Sequence, residues 1–184
     1  QDATGLGQVT PVSAKDSLRR FKQNIIYDKY FKGRLDIDLA SKEINPRDWQ
    51  ILIAVLKDPD INILISLDLL LYYNKLHTYP STALLAFSSN PTAVAEAEYL
   101  YAKLVEKVPE SQLKKDFKGV NDKGEVDPDK EPATIVYTRD FGLNAARLEH
   151  PAVTGALKAS GKYNQINWDY PAIILAQMMQ QNAS

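Results

Sequence analysis

Histidine is the side chain that most often serves as a general base or metal ligand near neutral pH, and this chain has two, His77 and His150. Neither has a second ligand at helical spacing, and the HExxH pattern of zinc peptidases is absent. The chain has no cysteine, which excludes thiolate metal sites, iron–sulfur clusters and cysteine nucleophiles. The sequence therefore predicts no metal site, no cofactor and no catalytic residue. We expect His77 at a helix end and His150 at a helix N-cap.

Asp68 is the one acidic side chain within the longest apolar stretch of the chain, residues 61–72. Burying a carboxylate among apolar side chains costs free energy unless the carboxylate has a partner. A polar group of a bound ligand would supply such a partner for Asp68. We name Asp68, with the neighbouring Tyr72 and Tyr73, as candidate ligand-binding residues. The alternative is that Asp68 lies on a narrow solvated line or caps a neighbouring helix.

Tyrosine is in mild surplus, with ten residues against two tryptophans and five phenylalanines. An apolar ring with a polar tip suits a protein interface. We name Tyr99, Tyr27 and Tyr30 as candidate interface residues. Tyr99 falls on the charged side of its predicted helix, together with Glu96 and Lys103. We therefore expect Tyr99 to be exposed unless another part of the chain covers it.

The elements that position these side chains are predicted to be helices. Asn, Asp or His followed by Pro recurs at the start of apolar segments, and such a residue caps a helix whose first position tolerates proline. The sequence predicts an all-α fold, an irregular bundle of about seven or eight short helices around a central apolar helix. The predicted helices span about 14–32, 46–57, 60–76, 81–88, 91–107, 143–149, 151–159 and 171–182.

The helix at 60–76 is the predicted centre of the bundle. Asn62, Ser66 and Tyr73 lie along one line of it, and apolar side chains occupy most of the remainder. A helix that is apolar almost all round is a buried core helix or one shared with a partner subunit. The charged residues of 57–60 interrupt the apolar run, so a transmembrane segment is not expected. A small β element is predicted near 133–138, where the composition is Thr-Ile-Val-Tyr-Thr.

The chain is predicted to be a flexible leader, residues 1–12, followed by a single helical domain, 13–184. The leader contains a lone Gly-Leu-Gly at 5–7 without a preceding strand, which is too little for a nucleotide-binding loop. It is small and polar and begins at Gln1, which is typical of a chain from which a presequence has been removed. We therefore expect an exported or organelle-imported protein.

The balance of 22 basic and 23 acidic residues, a net charge of −1, argues against a nucleic-acid partner. We expect a non-catalytic helical protein that acts through protein–protein contact with a protein partner or as a homo-oligomer. It would be a subunit of a larger assembly or a self-associating exported protein.

One alternative is a protein that binds a small apolar ligand. Others are a nucleoprotein or coat protein whose basic helix at 15–34 meets phosphate, and an enzyme using Asp68, Asp140 and Glu149.

Overall fold

The computed structural model describes residues 3–5, 7–21, 29–33, 35–129, 135–138 and 142–183. Within these residues the chain forms nine α-helices and a two-stranded antiparallel sheet, which confirms the all-α prediction with its small β element. The strands are β1, Phe117–Lys118, and β2, Val136–Tyr137; a 3₁₀ turn spans Tyr163–Gln165. The helices are α1 Pro11–Phe21, α2 Pro46–Leu56, α3 Pro59–Leu76, α4 Pro80–Ser88, α5 Pro91–Leu104, α6 Glu110–Asp116, α7 Ala145–Leu148, α8 Pro151–Ala159 and α9 Tyr170–Asn182.

Helices α2, α5 and α8 begin with the predicted combination of a polar cap and a proline, whereas Asp169 makes no side-chain hydrogen bond at the start of α9. Asn45 Oδ1 accepts a hydrogen bond of 2.8 Å from the Asp48 amide at the start of α2. Asn90 caps α5 in the same way, and His150 Nδ1 accepts from the Ala152 amide at 3.1 Å to cap α8. Each cap satisfies an amide that has no partner within its helix. The N-cap position predicted for His150 is confirmed.

The chain divides into two compact units, Gln1–Leu71 and Tyr72–Ser184, with α3 contributing to both. In the first unit α1 packs against α2. The buried side chains of these helices include Leu18 and Phe21 from α1 and Leu52 and Leu56 from α2. Each unit therefore has its own apolar core, and the single domain predicted for 13–184 stays a prediction.

Asn62 organises the amino-terminal side of the first unit. Its side chain is fully buried and makes three hydrogen bonds to backbone groups. Nδ2 donates to the carbonyl oxygens of Thr4 and Leu56, both at 2.9 Å, and Oδ1 accepts from the Gly7 amide at 2.8 Å. A Cβ at Gly7 would collide with the side chain of Ser66, which lies on α3 one turn after Asn62. The two glycines of the Gly-Leu-Gly sequence thus lie where the backbone approaches α3 closely.

Helix α5 is the buried centre of the second unit. Residues on every side of it are buried, including Glu96 and Glu98, because α4, α6, α7, α8 and β2 pack around it. Lys162 Nζ forms an ion pair with Glu96 Oε2 at 2.7 Å. The charged side of this helix, predicted to face solvent, is therefore covered by other parts of the chain.

Replacing Asn62 tests the connection between the amino-terminal segment and α3. Asn62→Ala removes the side-chain hydrogen bonds to two carbonyl oxygens and one amide, so we expect the free energy of unfolding to fall by about 3 kcal/mol. Urea unfolding followed by circular dichroism measures this change. The matched control is Asn182→Ala at the exposed end of α9, expected to change stability by less than about 0.5 kcal/mol. Equal effects of the two substitutions would contradict the role given to Asn62.

Candidate functional site

The most distinctive surface feature is a line of exposed leucine and isoleucine side chains on α3. Ile63, Leu67 and Leu71 are 45%, 53% and 61% exposed. They recur every four residues, so successive side chains lie about one helical turn apart on one side of the helix. We call these three residues the α3 stripe. Scattered apolar side chains are ordinary on a protein surface, but a continuous line marks a surface suited to contact.

The buried side of α3 lies opposite the α3 stripe. Asn62, Ile65 and Leu69 are buried there. Leu64 and Leu70 are half-buried and flank the stripe on either side. The stripe is thus bordered by further apolar atoms and is wider than its three most exposed residues. The predicted apolar helix is present, but one of its faces is open to solvent in the single chain.

Opposite charges stand at the two ends of α3. Asp60 lies in its first turn and Lys75 in its last, and both side chains are exposed. Fifteen residues of helix separate them, which corresponds to about 22 Å along the axis. Both charges fall on the side of the helix that carries the stripe, because they follow the same helical spacing as Leu67 and Leu71. The apolar line is therefore framed by an acid at one end and a base at the other.

A second exposed apolar surface is formed by α9. Ile173, Leu175, Met178 and Met179 are all exposed on it, and Pro171 is its one buried residue. The helix packs against α4 within the second unit. Methionine side chains adapt to differently shaped partners. Helix α9 thus exposes apolar surface in addition to that of α3.

Asp68, a predicted ligand-binding residue, takes part in a polar network within the first unit. The guanidinium of Arg20 donates to Asp68 Oδ2 from Nε at 3.0 Å and from an Nη at 2.6 Å. Ser17 Oγ donates to the same oxygen at 2.7 Å. The carboxylate thus joins α3 to α1 through side chains of α1 and does not cap the end of that helix. Its role in holding a ligand stays a prediction.

The other tyrosines named from the sequence have different surroundings. Tyr73 is buried and Tyr72 is exposed, and their ring centroids lie 5.4 Å apart in an edge-to-face arrangement. Tyr30 is exposed, with the Lys29 ammonium 5.2 Å from its ring centroid. Tyr27 lies outside the described residues. The ligand-binding role of Tyr72 and Tyr73 and the interface role of Tyr27 and Tyr30 stay predictions.

Tyr99 is buried, because the loop at 119–127 covers the side of α5 on which it lies. Its hydroxyl donates to the Gly124 carbonyl oxygen, and its ring contacts the edge of Phe117 at a centroid distance of 5.4 Å. Burial raises the pKa of the Tyr99 hydroxyl, and the nearby Lys103 ammonium partly opposes that increase. The covering loop follows α5 in sequence, but no pattern in it signals that it would return to this face. The interface role named for Tyr99 stays a prediction.

His77, together with Glu98 and Tyr137, forms a buried polar cluster in the second unit. The side chains of His77 and Glu98 are 2% and 1% exposed, with His77 Nδ1 3.5 Å from Glu98 Oε1. The Tyr137 hydroxyl lies 2.8 Å from His77 Nε2. Both ring nitrogens thus face a partner, which holds the imidazole in one orientation. The sequence placed His77 at a helix end and gave no sign that Glu98 and Tyr137 would meet it.

The carboxylates named for the enzyme alternative have different surroundings in the described part of the chain. Asp68 is engaged by Arg20 and Ser17, Glu149 is exposed after α7, and Asp140 lies outside the described residues. Within the residues that the structure describes, no three side chains of His, Asp or Glu are grouped so that they could hold a metal ion. In the same residues, no helix has the length and apolar content required to cross a membrane.

A shallow surface pocket of about 280 Å³ lies beside the end of α8, lined by Lys158, Gly161, Tyr163 and Asn164. The Lys158 ammonium stands 4.7 Å from the Tyr163 ring centroid. The pocket is open to solvent, and its lining includes the positive charge of Lys158. A site for a small apolar ligand calls for an enclosed apolar cavity. The ligand-binding alternative stays a prediction.

Comparison of the chain with protein-family models, with curated proteins and with solved structures gives no match.

The pKa of Tyr99 predicts how stability depends on alkaline pH. In the unfolded chain tyrosine loses its proton near pH 10, whereas burial delays that loss in the folded chain. The folded state then binds more protons, so the free energy of unfolding falls as the pH rises above about 10. Tyr99→Phe should show a smaller fall than the native chain in urea unfolding between about pH 8 and 11. Identical pH profiles for the two proteins would contradict the burial of the ionising hydroxyl.

The two histidines allow a matched comparison of buried and exposed imidazoles. His77→Ala removes the group between a buried carboxylate and a phenol, so we expect the free energy of unfolding to fall by about 3 kcal/mol. His150→Ala removes only an N-cap acceptor and should cost about 1 kcal/mol or less. Urea unfolding at neutral pH measures both values. A similar small loss in the two variants would show that the cluster around His77 is not a stabilising one.

Proposed function

We propose that this protein acts through contact with another protein chain and that the α3 stripe is the contact surface. The exposure of Ile63, Leu67 and Leu71 in the single chain is the observation that carries this proposal. Three aliphatic side chains in one continuous line favour burial by a partner. The protein would then be a subunit of a larger assembly or a self-associating protein, and the contact would need no catalytic residue.

Burial of the α3 stripe supplies the driving force for the proposed contact. Covering a large aliphatic side chain completely contributes about 1.5–3 kcal/mol, so each half-exposed residue of the stripe contributes about 1 kcal/mol. The half-buried Leu64 and Leu70 beside it add further area. Such a surface suits the apolar centre of an interface, with Asp60 and Lys75 as part of its polar rim.

Photo-crosslinking tests whether the stripe meets a protein. A benzophenone amino acid placed at Leu67 of the full chain should form covalent protein adducts in an extract of the cells that make this protein. The same group at Lys42, an exposed polar position of the first unit, is the control and should form few adducts. Adducts would be identified by mass spectrometry, and a second copy of this chain counts as a partner.

Competition makes the test specific for the stripe. An excess of unlabelled native chain should suppress the Leu67 adduct, whereas the Leu67→Asp/Leu71→Asp double variant should not. Both side chains are more than half exposed, so we expect the variant to keep its fold and its circular dichroism spectrum. If Leu67 gives no more adduct than Lys42, or if the double variant competes as well as the native chain, the proposal fails.

A further inference from the structure

We propose that the chain covering the α3 stripe is a second copy of this protein, with the two α3 helices packed antiparallel around a twofold axis near Leu67. This inference rests on the proposed function, because it names the partner for the same surface. Twofold pairing of identical surfaces is the commonest arrangement of soluble oligomers. It requires that the surface be complementary to itself, and α3 meets that requirement in its charges and in the spacing of its apolar residues.

Charge complementarity comes from the two ends of the helix. Asp60 and Lys75 lie at nearly equal distances from Leu67, seven residues before it and eight after it. In an antiparallel pair, Asp60 of each copy comes within reach of Lys75 of the other copy. Because of the twofold symmetry, the dimer would contain this contact twice. Both residues belong to one helix, so their spacing follows from helix geometry alone.

The apolar residues are arranged with the same symmetry. Leu64, Leu67 and Leu71 follow the alternating spacing of three and four residues that lets the side chains of two packed helices interdigitate. In an antiparallel pair centred near Leu67, these residues of one copy meet the same residues of the other. Each copy thereby covers the part of the stripe that the other exposes.

Parallel packing of the same two helices is disfavoured. It would place Asp60 beside Asp60 and Lys75 beside Lys75, and like charges in contact oppose association. It would also align the two helix dipoles in the same direction, whereas antiparallel packing opposes them. The small net charge of −1 leaves little long-range repulsion between copies. The charges at the helix ends and the helix dipoles thus both favour the antiparallel orientation.

Sedimentation velocity of the purified full chain over a range of concentrations tests the proposal. We expect the native chain to change from the mass of one chain to the mass of two as the concentration rises. Leu67→Asp should raise the dissociation constant by at least about a hundredfold, because it places two charges beside the twofold axis. A native chain that keeps the mass of one chain at every concentration overturns the inference, as does a dimer that Leu67→Asp leaves unchanged.

Charge exchange tests the orientation. Asp60→Lys and Lys75→Asp each create pairs of like charge in the antiparallel dimer, and each should raise the dissociation constant about tenfold. The double variant Asp60→Lys/Lys75→Asp restores opposite pairs and should return to within about threefold of the native value. Lys123→Asp, in an exposed loop of the second unit, is the matched charge control and should have no effect.

The double variant separates a contact between chains from a change within one helix. It places a cation at the start of α3 and an anion at its end, which the helix dipole disfavours at both positions. Helix stability therefore predicts the double variant to be the weakest, whereas antiparallel pairing predicts its recovery. A double variant no better than the single variants overturns the antiparallel arrangement. A native chain that stays single while Leu67 crosslinks to a different protein overturns this inference and leaves the proposed function standing.

Discussion

The buried side chain of Asn62 is the constraint on which the orientation of α3 depends. An amide in the core needs partners for its donors and its acceptor, and here the partners are backbone groups of Thr4, Gly7 and Leu56. Rotation of α3 about its axis would withdraw Asn62 from all three. The leucines on the opposite side are therefore held toward solvent, although burying them would be favourable by itself. The buried amide of Asn62 thus determines which apolar side of α3 is exposed to solvent.

In the second unit, buried polar side chains of α5 likewise have specific partners. Glu96 and Tyr99 lie on the side of that helix that looks polar in sequence and are covered by segments that follow in the chain, and Glu98 is buried on another side of the helix. Lys162 reaches Glu96 and the Gly124 carbonyl accepts the Tyr99 hydroxyl, while Glu98 faces His77 across 3.5 Å. Buried polar groups with specific partners allow fewer alternative packings than an apolar core does. This helix is thus enclosed on all sides without being apolar on all sides.

Local patterns predicted most of the helices, because caps and prolines act within one turn, but they missed α6, Glu110–Asp116, and the start of α1 at Pro11. Asn45, Asn90 and His150 each bond an amide two or three residues away, so their effect is visible in a short stretch of sequence. Which side of each helix is buried could not be predicted from such local patterns. Asn62 is covered by Thr4, Gly5 and Gly7, and Tyr99 by the loop at 119–127, which no spacing rule connects to them. The cluster of His77, Glu98 and Tyr137 was missed for the same reason, since its members come from three distant parts of the chain.

The small size of the α3 stripe affects how a cell would control its occupancy. In the proposed pair, three aliphatic side chains and one ion pair at each end would give a contact that forms and dissolves readily, unlike the extensive apolar interfaces of permanent complexes. Reversible contacts of this kind obey mass action, so the fraction of stripes that are covered rises with the abundance of the partner. The rate at which the chain is synthesised and degraded would then set its assembly state, without a separate signal.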